Sequence, residues 1–338
     1  MRIAHVSTLS APVCRETGGS VESLVWLLTR ELTRLGHEVT VFGCAGSECD
    51  GKLVATQPGP YGTKGTFDDW QLCEWVNLAR TVEHSREFDV IHTHAYLWGL
   101  PLEPMSRAPM VHTLHIVPDE NNAMLWRQYP GANVSAISRH QWSEFADLKP
   151  AAIIPHGVDV ADFTLRETPD DYLLYLGRFV SGKGPLHAIN AAKTLGLRLV
   201  LAGPENSYFR EHIRPLVDGK QIEYVGYVSG VARDKLLGGA RALLYPIQHP
   251  EAFGLVLVEA MLCGTPVAAA RLGAVPEIIE EGVTGCMADG MEGFQKTVLR
   301  ALECNRSRVR QSAEQRFSAG EMARAYVRLY EQIIAHRA

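Results

Sequence analysis

Val21-Glu22-Ser23-Leu24-Val25-Trp26-Leu27-Leu28-Thr29-Arg30-Glu31-Leu32-Thr33-Arg34-Leu35-Gly36-His37-Glu38-Val39-Thr40-Val41-Phe42 is the stretch that decides the fold. Apolar residues at 21, 24, 25, 28, 32 and 35 make a stripe of helical period. Gly36 stops it, and Val39–Phe42 resumes as strand. Just upstream, Ile3–Thr8 is a strand candidate, so the chain opens strand–helix–strand. The rhythm continues outward. Val90–Thr93, Met110–Leu114, Val134–Ile137 and Ala152–Ile154 read as strands, and Trp70–Glu83 as a helix. A second series follows at Tyr172–Leu176, Leu197–Ala202, Ile222–Val225, Ala242–Tyr245 and Pro266–Ala270, with helices between. This is the pattern of parallel sheets covered by helices on both faces. Thr56–Thr66, rich in Pro and Gly, reads as a long loop. Pro155–Pro169 is polar without a helical stripe and reads as a connection, and Gly320–His336 as one long helix. The expected fold is α/β: two tandem doubly wound Rossmann-like domains, residues 1–160 and 161–319, facing across a cleft, with a terminal helix in 320–338.

Composition narrows the function classes. A chain of 338 residues is comfortable for two domains. The formal net charge is -5 and the basic residues are scattered, which disfavours a nucleic-acid partner. No apolar run approaches the roughly 18–20 residues needed to span a bilayer. Met1-Arg2-Ile3-Ala4-His5-Val6 reads as a strand that begins at once, not as a signal peptide. The seven cysteines are odd in number and include no C-x-x-C, so they read as reduced thiols of a cytoplasmic protein. Val21–Leu35 and Trp70–Glu83 carry few basic residues for a membrane-surface helix, so association with an inner membrane face is expected to be peripheral at most.

Four elements carry candidate chemistry. The first is Pro250-Glu251-Ala252-Phe253-Gly254-Leu255-Val256-Leu257-Val258-Glu259-Ala260-Met261. A strand ends near Pro246 and a helix begins around Gly254, so Glu251 precedes the helix start and Glu259 lies inside it. With about 1.5 Å rise per residue, the two carboxylates fall on the order of 10 Å apart along the axis. That suits a ligand with hydroxyls at both ends and a diphosphate between them. The N–H groups of Gly254 and Leu255 would meet the phosphate, and carboxylates grip vicinal diols. Glu251 would also serve simply as a first-turn acid that favours the helix dipole, whereas Glu259 interrupts an apolar run, where an unpartnered carboxylate is costly, which favours the functional reading of the pair.

The second element is Gly177-Arg178-Phe179-Val180-Ser181-Gly182-Lys183-Gly184, between a strand and a helix. Arg178 and Lys183 there can neutralise a diphosphate leaving group without a metal, or simply be solvated charges on a turn. It is not a Walker A loop. The third, Glu16-Thr17-Gly18-Gly19-Ser20-Val21-Glu22, lacks G-x-G-x-x-G spacing, which counts against a dehydrogenase. Its glycine pair permits close approach to a ligand, and Ser20 alone would also serve as a helix cap. The fourth is a histidine group, His92-Thr93-His94 and His112-Thr113-Leu114-His115. Two imidazoles on one strand face are a start toward zinc, but no nearby cysteine or carboxylate completes a site, so no metal is expected. His115 is the better candidate as a hydrogen-bond donor to a sugar.

Together these residues resemble family 4 of the retaining glycosyltransferases, which have the GT-B fold. The resemblance covers essentially the whole chain and is densest from Pro155 to Asp289. Its most specific stretch runs from Pro246 to Val267, ending in Ala260-Met261-Leu262-Cys263-Gly264-Thr265-Pro266-Val267. The resemblance implies that the first domain faces the acceptor and the second binds the nucleotide-sugar, with the last helix crossing back to the first. Glu251 would contact the donor sugar and Glu259 the ribose. Arg178 and Lys183 would hold the diphosphate, and the backbone of Phe253, Gly254 and Leu255 the sugar and phosphate. Gly19 would approach the phosphate, His115 the sugar, and the turn Gly226-Tyr227-Val228 the base. The implied reaction is metal-independent transfer, with retention, from a nucleotide-diphosphate sugar to an acceptor hydroxyl. A UDP-sugar is favoured, and the setting would be glycan, glycolipid or polysaccharide synthesis. The rival readings are an epimerase or phosphorylase of the same fold, and a non-catalytic nucleotide-sugar-binding protein. Intact Glu251, Arg178 and Lys183 speak against the last of these.

Overall fold

The structure, a computed structural model, describes residues 1–17 and 20–337, with Arg337 described by its backbone alone. The chain divides into two units, Met1–Gly157 with Ala319–Ala338, and Val158–Ser318. Each is a doubly wound parallel sheet, so the expected α/β architecture is the observed one.

In the first unit the strands are β1 (Arg2–Val6), β2 (Glu38–Cys44), β3 (Lys52–Gln57), β4 (Val90–Thr93), β5 (Met110–Thr113), β6 (Asn133–Ala136) and β7 (Ala152–Ile153). Their order is β3-β2-β1-β4-β5-β6-β7. The helices are α1 (Ser20–Arg34), α2 (Trp70–Glu83) and α3 (Glu120–Arg127). Helix α1 is the apolar stripe read above; it begins at Ser20 itself, so Ser20 is a helical residue and not a cap. Asp69 caps α2 by accepting from the Gln71 N–H at 2.9 Å. One edge differs from the sequence reading. β3 is an extra strand that takes the first two residues of the expected loop, Thr56 and Gln57. It was hidden because an edge strand half open to water shows no apolar run.

The second unit holds β8 (Leu173–Leu176), β9 (Leu199–Ala202), β10 (Ile222–Tyr224), β11 (Leu243–Tyr245), β12 (Val267–Ala270) and β13 (Gly285–Ala288), in the order β10-β9-β8-β11-β12-β13. Its helices are α4 (Pro185–Leu195), α5 (Gly230–Gly239), α6 (Leu255–Leu262), α7 (Val275–Ile278), α8 (Phe294–Ala301) and α9 (Arg306–Phe317). The last helix, α10 (Ala319–Arg337), belongs to the first unit. There Met322, Tyr326 and Tyr330 join Leu24, Leu28 and Leu32 of α1 and Ile3, Val39, Val90 and Val111 of the sheet in one core. Among the described residues no helix is long and apolar enough to cross a membrane.

The strand orders fix where ligands are favoured. In the first unit the chain winds outward from β1 to β3, then crosses back to β4 beside β1. In the second it winds from β8 to β10, then crosses back to β11 beside β8. At each reversal the loops leave the sheet in opposite directions and open a crevice at the strands' carboxyl ends. The crevices lie at β1/β4 and β8/β11.

The first unit also buries histidines. His5 and His92 pair across β1 and β4, and both are fully buried with His94 beside them. His92 Nδ1 meets Tyr330 Oη at 2.6 Å, and its Nε2 meets Thr113 Oγ1 at 2.8 Å. Burial lowers His5 to about 3 and His156 to about 4, and holds His92, His94 and His115 well below the ordinary value. The unfolded chain, whose histidines titrate near pH 6.5, therefore takes up protons first as pH falls. The stability of this unit should be complete above about pH 6.5 and lost steeply as pH drops toward 4. Scanning calorimetry from pH 8 to 4 checks this; a flat profile would rule it out.

Candidate active site

The loop from β8 to α4 and the loop from β11 to α6 meet at the second unit's crevice. They are pinned together by backbone. Gln248 N–H donates to the Gly182 carbonyl at 2.8 Å. Gly184 has φ +69°, and a Cβ there would lie 1.9 Å from the Pro246 carbonyl oxygen, so only glycine lets the loops close this far. Lys183 sits between these two anchors.

Lys183 Nζ forms an ion pair with Glu251 Oε1, while Tyr245 Oη donates to Glu251 Oε2. Lys183 also lies 5.7 Å from the centre of the Tyr245 ring. The Glu251 backbone is held too, since Ala274 N–H donates to its carbonyl at 3.0 Å. Burial, and then the Glu251 charge, push the Tyr245 phenol well above its usual range, so it stays a neutral donor. The same two causes raise Tyr175. Both Glu251 oxygens thus have partners, and each keeps lone-pair capacity for a hydroxyl.

Arg178 lies on the same loop as Lys183, exposed, its backbone carbonyl accepting from Tyr175 Oη at 2.9 Å. It pairs with no carboxylate among the described residues, so its guanidinium is available to an anion. Helix α6 starts at Leu255 behind Gly254, whose φ of +151° turns the chain into the helix. Its first N–H groups have no helical acceptor. Phe253 is buried, edge-on to Phe317 at 6.0 Å.

Glu259, inside α6, is only 14% exposed in its side chain and pairs with Arg233 of α5, whose Nε lies 3.0 Å from Oε2. Sequence reasoning missed Arg233. It stands 26 residues from Glu259 on another helix, so only the fold reveals the pair. At the turn Gly226-Tyr227-Val228, Gly203 N–H donates to the Gly226 carbonyl at 2.9 Å and Tyr227 is 69% exposed. The structure therefore gathers Lys183 with Glu251 at one crevice and ties Glu259 to a partner. Among the described residues no hydrogen bond or ion pair links Tyr227 or Val228 to that cluster.

Two expected residues lie in the first unit. Gly19 lies outside the described residues. His115 is half-buried and engaged at both ring nitrogens: Nε2 is 3.0 Å from His94 Nδ1, and Nδ1 is 3.5 Å from His156 Nε2. His94 Nε2 in turn lies 3.1 Å from His5 Nδ1. The four rings form a hydrogen-bonded file of neutral imidazoles, in which the two inner rings, His94 and His115, each donate once and accept once. A sugar hydroxyl would have to compete with His94 or His156 for His115. His5, His92 and His94 hold ring nitrogens within 4.8 Å of one another, and His5 is the member the sequence reading did not include. Glu22 shapes the loop after β1: its Oε1 accepts from Thr8 Oγ1 at 2.8 Å and from Ser10 N–H and Oγ at 3.0 and 2.6 Å.

Comparison with known proteins bears on the whole chain. Residues 17–162 match the family model described as Glycosyltransferase Family 4, and residues 161–316 match Glycosyl transferases group 1. The D-inositol 3-phosphate glycosyltransferase of Pseudarthrobacter chlorophenolicus is 31% identical, over 85% of this chain and 82% of its own. The crystal structure of AviGT4, a glycosyltransferase involved in avilamycin A biosynthesis, is 27% identical, with a TM-score of 0.73 over 99% of this chain and 98% of that one. The crystal structure of Anabaena HepE in complex with UDP-glucose shares the fold at 20% identity, with a TM-score of 0.68 over 100% of this chain and 99% of that one. Two family models end to end, and a relative alike over most of both lengths, place this chain in family 4 of the glycosyltransferases, with the GT-B fold.

Proposed function

We propose that this glycosyltransferase moves a sugar from a nucleotide-diphosphate sugar, with a UDP-sugar as donor, to an acceptor hydroxyl, retaining the anomeric configuration and using no metal. The observation that carries the reading is the cluster of Lys183, Glu251 and Tyr245 at the β8/β11 crevice, beside exposed Arg178 and the start of α6. A diphosphate brought there meets two cations and free helix N–H groups, which is how departing negative charge is stabilised without a metal. As Lys183 turns to the phosphate, Glu251 is released to accept sugar hydroxyls. Glu259 keeps one oxygen for the ribose diol while Arg233 holds the other. The bond from the anomeric carbon to the phosphate oxygen breaks, and the acceptor oxygen bonds to that carbon on the same face. The acceptor's proton passes to a phosphate oxygen, so no enzymic base is needed. HepE, of the same fold, binds UDP-glucose, which supports UDP as the carrier.

A thermal-shift panel of UDP, GDP and ADP, each with and without EDTA, tests this. UDP should raise the melting temperature most, equally in EDTA. A larger shift with GDP or ADP would reassign the donor, and a shift abolished by EDTA would overturn the metal-free reading.

A further inference from the structure

The first unit has its own crevice, at β1/β4, and aromatic rings crowd around it. Tyr61 follows β3, Trp70 opens α2, and Tyr96 and Trp98 follow β4. Ring centres lie 5.8 Å apart for Tyr61–Trp70, 5.3 Å for Trp70–Trp98 and 4.9 Å for Tyr96–Trp98, the last pair stacked. Trp75 of α2 stacks on Trp98 with planes 2° apart. Core aromatics are normally covered, yet Trp70 and Trp75 are 38% and 37% exposed, so the sheet of rings has a face open to solvent. Tyr96 has φ +52° and is the one non-glycine residue with positive φ among those described. A bulky side chain held in that region is strained, and such strain persists where the surroundings fix it for a purpose.

A carboxyl lies beneath the rings. Glu74 of α2 is fully buried; its Oε1 accepts from Tyr61 Oη and from the Leu9 N–H just after β1, while Oε2 meets no hydrogen-bond partner among the described residues. A buried carboxyl oxygen without a partner is costly. Burial pushes Glu74 up to about 7, so near neutral pH it can donate or accept. The groups whose charge acts on Tyr61, Glu74 and Tyr96 are Glu22, Glu74 and Tyr96 itself, with no cation among them in the described residues. Lys64, in the loop with Tyr61, is exposed, and Arg80 of α2 is held by Glu83 at 2.9 Å.

We propose that this aromatic cluster is the acceptor subsite, and that it takes an uncharged pyranose ring and not a phosphorylated one. The inference rests on the transfer reading above. A pyranose has an apolar C–H face that lies flat on an aromatic ring, and hydroxyls at its edge that need polar partners. Tyr61 supplies such a partner, with Glu74 beneath it holding the phenol in position. A phosphate here would lie near the acidic Glu22 and Glu74, with no cation acting on this cluster among the described residues, at a cost in affinity. An anionic membrane is disfavoured for the same reason, since the only cation on α2 is Arg80. The acceptor therefore differs in class from the one named for the Pseudarthrobacter relative.

Saturation-transfer NMR on the full chain with UDP present tests this, using methyl glucopyranosides and methyl mannopyranosides, D-inositol 3-phosphate, and vesicles of phosphatidylcholine with phosphatidylglycerol as probes. At least one methyl glycoside should receive saturation on its C–H face, and D-inositol 3-phosphate should not displace it. Trp98→Ala should weaken glycoside binding about tenfold. Trp70→Ala, at a half-exposed position, and the near-isosteric E74Q should weaken it as well if the first variant fails to fold. Preferential binding of D-inositol 3-phosphate, variants that bind like the wild type, or a protein that responds only to vesicles would each overturn the proposal. The UDP thermal shift separates the two readings. Glycosides that stay silent while UDP still stabilises the chain sink the acceptor assignment alone, whereas the absence of a shift with UDP, GDP and ADP alike sinks the transfer reading.

Discussion

Replacing Lys183 with alanine is expected to lower kcat by about a hundredfold or more while leaving the melting temperature nearly unchanged. The two effects separate because the Lys183–Glu251 pair does different things in the free and reacting protein. In the free protein both side chains are 23% exposed, and an ion pair that open contributes at most about 1 kcal/mol to folding. During reaction the same ammonium would neutralise a departing diphosphate, where one removed donor typically costs about 3–4 kcal/mol of barrier. The loss should fall mainly on kcat, since charge develops on the leaving group only in the transition state. Arg178→Ala should share the phenotype, and steady-state assay of nucleoside diphosphate release checks both. Wild-type kcat in both variants would remove these cations from the chemistry. A collapse of the melting temperature would instead make Lys183 structural.

The largest stability effect is expected at Arg306→Met. Arg306 begins α9 and is 9% exposed. Its guanidinium donates to the carbonyl oxygens of Gly238 at 2.6 Å and Ala240 at 2.8 Å, to Thr265 Oγ1 at 2.8 Å, and to the carbonyls of Cys263 and Arg166. These carbonyls close the carboxyl ends of α5 and α6, where a cation also meets the favourable end of the helix dipole. Burial lowers Arg306 to about 10, so it stays charged at neutral pH. Methionine fills much of the volume but removes every hydrogen bond the guanidinium makes to these largely buried acceptors, a loss of about 3–5 kcal/mol. For a unit of this size that is roughly 10 °C in melting temperature. Arg306→Lys should recover only part, because one ammonium cannot span the acceptors a planar fork reaches. Calorimetry showing a drop below about 1 kcal/mol for Arg306→Met would contradict this account of the second unit.

The parts of the fold legible in sequence are those where one face of an element is buried. Helix α2 occupies the predicted Trp70–Glu83, and β4 the predicted Val90–Thr93, because periodic burial writes a periodic pattern. β13, Gly285-Cys286-Met287-Ala288, escaped because it lacks β-branched residues. Helix α9, Arg306-Ser307-Arg308-Val309-Arg310-Gln311-Ser312-Ala313-Glu314-Gln315-Arg316-Phe317, escaped because its polar side chains, Arg306 above all, bind backbone instead of forming an apolar stripe. The site divides along similar lines. Glu251 and Lys183 stand out because a strand end and a glycine-rich turn fix their neighbourhoods locally. Arg233 and the file from His5 to His156 do not, because their partners come from distant strands and helices. The aromatic cluster is dispersed over two loops and one helix in the sequence, and only the sheet order brings Tyr61, Trp70 and Trp98 together.

The central claim, retaining transfer from a UDP-sugar, is tested most directly by following the anomeric proton. UDP-glucose, whose glucosyl carbon is in the α configuration, would be incubated with the protein and a methyl glycoside acceptor and observed by proton NMR. The expected result is release of UDP together with a new α-glycosidic signal. A β-linked product, or a UDP-sugar whose ring stereochemistry changes while the diphosphate stays attached, would contradict the account.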